Sequence, residues 1–410
     1  VNYQGDTGMH VAKWLWYYTK FMNYEKFPKK DIEKWVASVY VEAVKKLDMQ
    51  PEFQEDVDKI NLELETGKNK RLLELWKKTR KLSLDAFEDI YKDLNTRFDH
   101  YFFEREVEKK GKEISMELVK KNIAKIDDGA TIIDLEKYGL GIWVLLRKDR
   151  TVLYSAKDLA LAEIKFKEYK VDKNIYVVGS AQRLHFYQLF KTLELMNFKN
   201  SKNCFYIPVS EVRLPTGKMS SRTGENIVYS DFKKEIMGYA ISEIKKRYDS
   251  LNNKEIEKRA RMISIAAIKF NMLKQDLNKV IIFDKKEALR FEGDTGPYMQ
   301  YAHARCCSIL KGAKTEKFNM DLFNGTDYSV VKMIEQFPKA VEKAGEEHKP
   351  SLIANYLLEL AKTFNEFYAK NQVLKAEDKL RNARLALVFS VRQVLENGLG
   401  LLGIDAPNEM

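Results

Sequence analysis

The stretch that decides the fold begins with Asn174-Ile-Tyr-Val-Val-Gly179, continues from Leu184 to Met196, and reaches Cys204-Phe-Tyr-Ile-Pro208. The first and last runs are rich in β-branched and aromatic residues, as buried strands are. We predict a helix for the middle run. A strand, a helix and a second strand in this order predict two parallel strands joined by a crossover helix. We therefore expect a parallel sheet of the Rossmann type.

The residues before this segment also alternate between strand and helix. Between Gly129 and Ser155, short β-rich runs are separated by glycines and a polar turn, and Ala156 to Tyr169 then reads as a helix. The three runs are Thr131-Ile-Ile-Asp-Leu135, Trp143-Val-Leu-Leu146 and Val152-Leu-Tyr154. This alternation favours the same α/β class.

Both flanks of the α/β segment are predicted to be helical. Residues 9–125 are mostly helical, with apolar residues at helical spacing in Asp31 to Leu47 and Lys68 to Phe98. From Asp231 onward the chain is nearly all helical, and Lys311 to Lys317 is a loop. Bundle helices are expected at Thr326 to Glu342, Ser351 to Tyr368 and Glu377 to Leu402.

Composition limits the possible partners of the 410-residue chain. Its net charge is +11, which predicts affinity for a polyanion such as nucleic acid, although a merely soluble basic protein is the alternative. Cys204, Cys306 and Cys307 form neither a zinc pattern nor a C-x-x-C pair, so we expect free thiols and a cytoplasmic protein. Neither a membrane span nor a signal peptide is recognisable.

A polar loop follows the last predicted strand. It contains Lys218-Met219-Ser220-Ser221 and is bracketed by Pro215, Gly217 and Gly224. A lysine and hydroxyl donors can neutralise charge that develops on phosphoryl oxygens and pyrophosphate. The run resembles the KMSKS signature of class I aminoacyl-tRNA synthetases, although four such residues also recur by chance on solvated loops. Lys218, Ser220 and Ser221 are our candidate catalytic residues.

Three further segments resemble arginyl-tRNA synthetases in the order of that family. The opening Val1-Asn2-Tyr3-Gln4-Gly5-Asp6-Thr7-Gly8 is similar to the segment after the first signature helix. Glu292 to Arg305 is similar to the start of the anticodon-binding domain. The C-terminal run Arg381-Asn382-Ala383-Arg384-Leu385-Ala386-Leu387 also resembles this family. The chain is identified on these matches as similar to this family over nearly its whole length.

The resemblance implies a fold and a domain arrangement. We expect a Rossmann-type class I catalytic core, incomplete at its N-terminus, in residues 1–230, with a mostly helical insertion at about residues 20–140. A helical linker is expected at 231–290, and an all-α anticodon-binding bundle at 291–410. The implied activity joins arginine to ATP, with Mg²⁺ accompanying ATP, and passes arginine to its tRNA. No oligomer is implied.

The resemblance also implies an arginine site at the strand ends. Tyr154 is predicted to end a strand, Asp158 to lie in the first turn of the next helix, and Gln182 to follow another strand. A carboxylate, a phenol and an amide suit the planar guanidinium of arginine. The alternative for Asp158 is a favourable place near a helix N-terminus. Gly179, His185, Lys218 and Met219 are expected to lie at ATP.

Other residues are expected at tRNA. Tyr298, Tyr301 and Arg305 are spaced i, i+3, i+7, which places them on one helical face suited to stacking on unpaired bases. Tyr368 and the terminal Met410 complete this set. The alternative is that the aromatic residues form bundle core, which we expect for Phe364.

The chain departs from the family pattern in one respect. Class I synthetases carry a His-x-Gly-His signature before the segment that matches Asn2 to Gly8, and His10 in Gly8-Met9-His10 does not fit it. We therefore expect the chain to be the C-terminal portion of such an enzyme, partnered by its missing N-terminal part. The rival interpretations are a catalytically inactive tRNA-binding protein and another class I synthetase, such as that for cysteine.

The loop interpretation predicts that Lys218→Ala, made in the full-length enzyme, lowers the kcat of arginine activation by at least about tenfold, because one charge contact in the transition state is lost. Arginine affinity is expected to change little. Pyrophosphate exchange measures both quantities, and an unchanged kcat would contradict the assignment of the loop.

Overall fold

The structure is a computed structural model that describes residues 1–213, 215, 228–248, 250–290, 292–313 and 318–410. The described residues form two compact units. The first consists of residues 1–88 and 97–210, and the second of residues 89–96, 211–213, 215 and 228–410. Among the described helices, none is long and apolar enough to cross a membrane.

The first unit contains two parallel strand pairs and one antiparallel sheet. Its strands are β1 Asn2–Gln4, β2 Tyr101–Phe103, β3 Lys125–Asp127, β4 Ala130–Asp134, β5 Ile142–Leu146, β6 Asn174–Gly179 and β7 Cys204–Val209. Strand β1 pairs with β2 in parallel, and β6 pairs with β7 in parallel with Asn174 opposite Cys204. Strands β3, β4 and β5 form the antiparallel sheet. The parallel pairing predicted for residues 174–208 is confirmed.

Seven helices surround these strands. They are α1 Met9–Lys20, α2 Ile32–Met49, α3 Gln54–Thr66, α4 Lys70–Asp93, α5 Glu104–Lys120, α6 Tyr154–Lys167 and α7 Arg183–Leu195. The helices predicted from apolar spacing at 31–47 and 68–98 correspond to α2 and α4. The prediction of residues 9–125 as mostly helical missed β2, a strand of only three residues.

Helix α6 is the centre of the first unit, because residues on every side of it are buried. Its Lys165 ammonium lies 5.8 Å from the ring centroid of Phe102 in β2 and 4.9 Å from that of Tyr176 in β6. Gly111 of α5 allows a close crossing, since a Cβ there would lie 2.8 Å from the backbone oxygen of Ala156. The helix thus packs against both parallel strand pairs.

Asp6 ties the segment after β1 to two helices. Its Oδ2 accepts a hydrogen bond from Arg80 Nη1 at 2.7 Å, and its Oδ1 accepts one from the backbone N–H of Arg105 at 3.2 Å. The indole N–H of Trp76 donates to the backbone oxygen of Asp6 at 2.7 Å. This side chain is buried, and it joins the segment after β1 to α4 and to the start of α5.

The second unit is a helical assembly with one short strand pair. Its helices are α8 Tyr229–Arg247, α9 Asn253–Leu273, α10 Lys285–Ala288, α11 Gly296–Leu310, α12 Gly325–Glu347, α13 Pro350–Lys370 and α14 Asp378–Leu401. Strands β8 Val212–Arg213 and β9 Ile281–Ile282 pair in parallel. The sequence did not predict β9, because two residues give no periodicity. Phe364 is fully buried in the bundle core, so that prediction is confirmed.

A buried ion pair crosslinks the bundle. The Arg384 guanidinium donates to both carboxylate oxygens of Asp327, at 3.2 and 3.4 Å. It also donates to the backbone oxygen of Gln372 and to Asn371 Oδ1, at 2.9 and 2.8 Å. Every partner is an acceptor, so four hydrogen bonds compensate the buried charge of Arg384.

The C-terminal tail is held by helices α9 and α11. Gln300 Nε2 donates to the backbone oxygen of Asp405 at 2.8 Å, and His303 Nδ1 donates to that of Pro407 at 2.9 Å. Arg259 pairs with Glu409 at 3.3 Å. Burial lowers the pKa of His303, which favours its neutral form at the tail.

The tail contact predicts a pH effect. The unfolded chain takes up the His303 proton at a higher pH than the folded chain, so this group lowers stability as pH falls below about 6.5. His303→Asn keeps a donor for Pro407 but does not titrate. We expect the wild type to lose more free energy of unfolding than this variant between pH 7.5 and 5.5, measured by denaturant titration. Parallel losses would contradict the role of His303.

Candidate functional site

Asp158 and His185 form a buried pair between helices α6 and α7. His185 Nε2 lies 2.7 Å from Asp158 Oδ2, and both side chains are about nine-tenths buried. On the other side of the ring, the indole N–H of Trp143 donates to His185 Nδ1 at 3.4 Å. Because Nδ1 accepts this bond, the proton of the neutral ring is on Nε2 and is donated to the carboxylate.

Tyr154 lies beside this pair, although not where we predicted. It begins α6 and does not end a strand, since Val152 makes only an isolated bridge to Leu146. Asp158, four residues further on, therefore lies just beyond the first turn of that helix. The ring centroid of Tyr154 is 4.7 Å from that of His185, with the two rings edge to face, and Tyr154 is largely exposed.

Gln182 and Gly179 lie at the end of β6. Gly179 is the last residue of that strand, and its backbone oxygen accepts a hydrogen bond from the Tyr206 phenol at 3.1 Å. Gln182 ends the 3₁₀ turn that leads into α7 and is exposed. In open parallel sheets, ligands bind at such strand ends. The structure thus brings together Asp158, His185 and Tyr154, with Gln182 just before α7.

A second polar cluster adjoins Asp158 along α6. The buried Lys157 ammonium lies 3.0 Å from Glu104 Oε2 and 3.3 Å from Thr7 Oγ1. The Tyr3 phenol oxygen is buried, and among the described residues it has no hydrogen-bond partner. Burial is the main cause of the raised pKa of Tyr3, and the negative charge of the Asp158 carboxylate raises it further. This phenol therefore stays protonated.

Sequence reasoning did not select Lys157, Glu104, Trp143 or Tyr3. A lysine next to an aspartate in a helix usually indicates a solvated face, so nothing in the sequence indicated that Lys157 is buried. Lys218, Met219, Ser220 and Ser221, our candidates on the loop, lie outside the described residues.

Four of the residues expected at tRNA gather in the second unit. The Arg305 guanidinium lies 4.7 Å from the ring centroid of Tyr301 and 5.8 Å from that of Tyr368. Arg305 Nη2 also donates to the Tyr301 phenol oxygen at 3.1 Å. Tyr301 is 38% exposed, whereas Tyr298 and Tyr368 are half-buried against the bundle core. Tyr301 is therefore the most exposed of these three tyrosines.

Met410, the fifth of these residues, lies in a different cluster. It packs against the apolar core of α8 and α9, which includes Ile236 and Ile256. Its side chain is half-buried there. The tail contacts of Gln300 and His303 fix this position.

Comparison with known proteins identifies the family. Residues 1–284 match the family described as tRNA synthetases class I (R), catalytic domain, and residues 299–410 match the DALR anticodon binding domain. An arginine–tRNA ligase of Bdellovibrio bacteriovorus is 36% identical over 421 residues, covering 100% of this chain and 72% of that protein. The chain belongs to the arginyl-tRNA synthetase family.

Further members show the same extent of similarity. An arginine–tRNA ligase of Clostridium acetobutylicum is 36% identical over 414 residues, covering 100% of this chain and 73% of that protein. The arginyl-tRNA synthetase structure of Thermus thermophilus superposes with a TM-score of 0.87 at 26% identity, covering 100% of this chain and 75% of that one. The predicted fold class, a class I catalytic core followed by a helical anticodon-binding domain, is confirmed.

The buried carboxylate predicts a selective effect on arginine. In the full-length enzyme, Asp158→Asn is expected to raise the KM for arginine strongly, since removing one partner of a buried charge pair costs about 2–5 kcal/mol. The KM for ATP is expected to stay within a few-fold. Glu168→Gln, at the exposed end of α6, is the matched control.

Steady-state kinetics of arginine activation measure both KM values for Asp158→Asn and for the control. A joint rise of the two KM values, or no change in either, would indicate that Asp158 only supports the helix and that the guanidinium binds elsewhere.

Proposed function

We propose that this chain supplies the arginine-recognising, loop and tRNA-binding parts of an arginine–tRNA ligase. A carboxylate oxygen of arginine attacks the α-phosphorus of ATP, and the bond from that phosphorus to pyrophosphate breaks, giving arginyl-adenylate. A hydroxyl of the terminal adenosine of tRNA then attacks the arginyl carbonyl, and AMP leaves. The observation that carries this proposal is the buried Asp158 carboxylate, paired with His185 in the helix that follows β6, in a chain of this family.

Recognition of arginine is proposed to centre on Asp158. Its Oδ2 accepts from His185, while its Oδ1 makes no hydrogen bond among the described residues and can accept from a guanidinium. Arginine presents a planar fork of donors that a carboxylate can accept from in pairs, whereas lysine presents a single point charge. Tyr154 and Gln182 are proposed as neighbours of that fork, and the oxygen of the protonated Tyr3 phenol as a further acceptor.

Binding of ATP is proposed to involve Gly179, His185, Lys218 and Met219. The ammonium of Lys218 and the hydroxyls of Ser220 and Ser221 would stabilise charge on the phosphates as pyrophosphate leaves. Mg²⁺ is proposed to arrive with ATP and to supply further charge neutralisation on its phosphates. Among the residues that the structure describes, no group of three His, Cys, Asp or Glu side chains could hold a metal ion.

Binding of tRNA is proposed to use the cluster of Tyr298, Tyr301, Arg305 and Tyr368, and also Met410, which lies in a separate cluster at the end of the tail. The open ring of Tyr301 can stack on an unpaired base, and Arg305 can meet a phosphate or base acceptor. The net charge of +11 supports attraction to RNA. We keep the division into residues 1–230, 231–290 and 291–410 as the proposed domain arrangement.

A further polypeptide segment is proposed to complete the parallel sheet. Helix α6 contacts both parallel strand pairs, and on the opposite face of β6, Ile175 and Val177 are 37% and 60% exposed. Parallel sheets are normally covered on both faces. The matched relatives are also longer, since this chain covers 72% of the Bdellovibrio protein. We propose that this segment carries the His-x-Gly-His signature.

The decisive experiment compares the 410-residue chain alone with the chain mixed with a separately produced segment that carries this signature. The chain alone is expected to bind arginine tRNA, with an affinity that falls steeply as salt rises, because phosphate contacts release counterions. Charging of tRNA is expected only in the mixture.

Each other outcome of the charging assay is informative. Robust charging by the chain alone would overturn the need for a further segment. Binding without charging, even in the mixture, would favour the second candidate function, a catalytically inactive tRNA-binding protein. Failure to bind arginine tRNA at low salt would contradict the proposed role of the second unit.

A further inference from the structure

We propose that Asn365 is a positioning residue for the RNA-binding face, which consists of Tyr298, Tyr301 and Arg305. Asn365 orients these side chains so that the face presents hydrogen-bond donors. This inference rests on the proposed tRNA-binding role of Tyr301 and Arg305. Asn365 lies on α13, and its Oδ1 accepts from Arg305 Nη1 at 2.7 Å. Its Nδ2 donates to the phenol oxygen of Tyr298 at 2.8 Å. One side-chain amide therefore joins two residues of α11 to α13.

The orientation of this amide is fixed by its partners. A guanidinium has donors and no acceptor, so only the amide oxygen can face Arg305. The amide nitrogen then faces Tyr298, whose oxygen receives that hydrogen bond. The proton of the Tyr298 phenol thus remains available to donate elsewhere. Asn365 therefore makes the Tyr298 hydroxyl a donor toward a ligand, without contacting that ligand itself.

The same arrangement holds at Tyr301. Its oxygen accepts from Arg305 Nη2 at 3.1 Å, so its proton is also left to donate. Arg305 itself contributes only donors. The face consequently presents two phenol protons and a guanidinium, and its complement is an unpaired nucleotide whose edge or phosphate presents oxygen or ring-nitrogen acceptors.

Packing keeps Asn365 in place. Its neighbours on α13, Phe364 and Phe367, are fully buried in the bundle core. The Phe364 and Tyr368 ring centroids are 6.2 Å apart and nearly parallel. The amide therefore projects from a helix whose rotation about its axis is set by the core packing. The arrangement of donors on Tyr298, Tyr301 and Arg305 is in this way formed before RNA binds.

Aspartate at this position tests the proposal, because it has nearly the same shape and only acceptors. It would accept from Arg305 and also from the Tyr298 proton, which would then no longer be available to RNA. It would also place a negative charge beside the guanidinium. Asn365→Asp is therefore expected to disturb RNA recognition more than Asn365→Ala, although it alters the volume less.

The experiment measures the Kd of the chain for arginine tRNA and for the same tRNA with its anticodon loop altered at one base at a time. Asn365→Asp is expected to weaken binding of arginine tRNA by at least about tenfold and to reduce the preference over the altered tRNA species. Asn365→Ala is expected to weaken binding less. A purely structural role would weaken all these tRNAs equally.

Asn355 provides the matched control on the same helix. It is exposed, and its amide makes a 3.4 Å hydrogen bond to the backbone oxygen of Lys274. Asn355→Asp and Asn355→Ala are expected to leave both affinity and preference unchanged. Thermal unfolding of all four variants checks the fold, and if Asn365→Asp is unfolded, the comparison of Asn365→Ala with Asn355→Ala decides.

The outcomes separate this inference from the function on which it rests. If Tyr301→Ala and Arg305→Ala both leave tRNA affinity unchanged, the RNA-binding face itself is misassigned. If those two variants weaken binding and Asn365→Asp does not, the face stands and the positioning role of Asn365 is overturned. Weaker binding with unaltered preference among tRNAs overturns it as well.

Discussion

The burial of most of helix α6 is the constraint on which the first unit depends. A charged side chain in its buried part cannot be left unpaired, since an isolated buried charge is far too costly. Lys157 meets Glu104 and Thr7, Lys165 lies over the rings of two strands, and Asp158 meets His185. The close crossing of α5 and α6 at Gly111 brings the two helices together beside Lys157 and Glu104. The polar groups of the candidate site are therefore a consequence of the packing of one helix.

Helix α11 has a similar organising role in the second unit, but two of its faces make different contacts. Gln300 and His303 hold the C-terminal tail, while Tyr298 and Arg305 bond to Asn365 of α13. These residues interleave along the same helix, so a rotation of α11 would disturb the tail and the proposed RNA-binding face together. The full burial of Met299 and Ala302 between them opposes such a rotation.

The sequence predicted the strands and helices that depend on residues close together in the chain. It did not predict the side-chain contacts between residues that are far apart in the chain. The strands at Asn174 and Cys204 and the long helices were visible as periodic apolar runs. Tyr154 was wrongly assigned to a strand because Val152-Leu-Tyr154 has β propensity, whereas the Ser155 hydroxyl bonds to Val144 and the helix begins there. The family motifs selected Asp158 and Arg305, and the structure places each of them in a polar cluster, while their proposed binding roles stay predictions. Trp143, which bonds to His185, and Asn365, which bonds to Arg305, gave no local signal, because each lies dozens of residues away from its partner.

The two proposed recognition clusters, one around Asp158 and one around Arg305, are organised in the same way although their charges are opposite. Asp158 is held by a neutral imidazole that donates to it, and Arg305 by a neutral amide that accepts from it. In both, the orienting group satisfies one hydrogen bond without cancelling the charge. A lysine beside Asp158 or a carboxylate beside Arg305 would hold the side chain more strongly but would compete with the charged ligand for it. Neutral partners therefore combine fixed geometry with a charge that remains available, which is what selective binding of a cationic amino acid and of an anionic RNA requires.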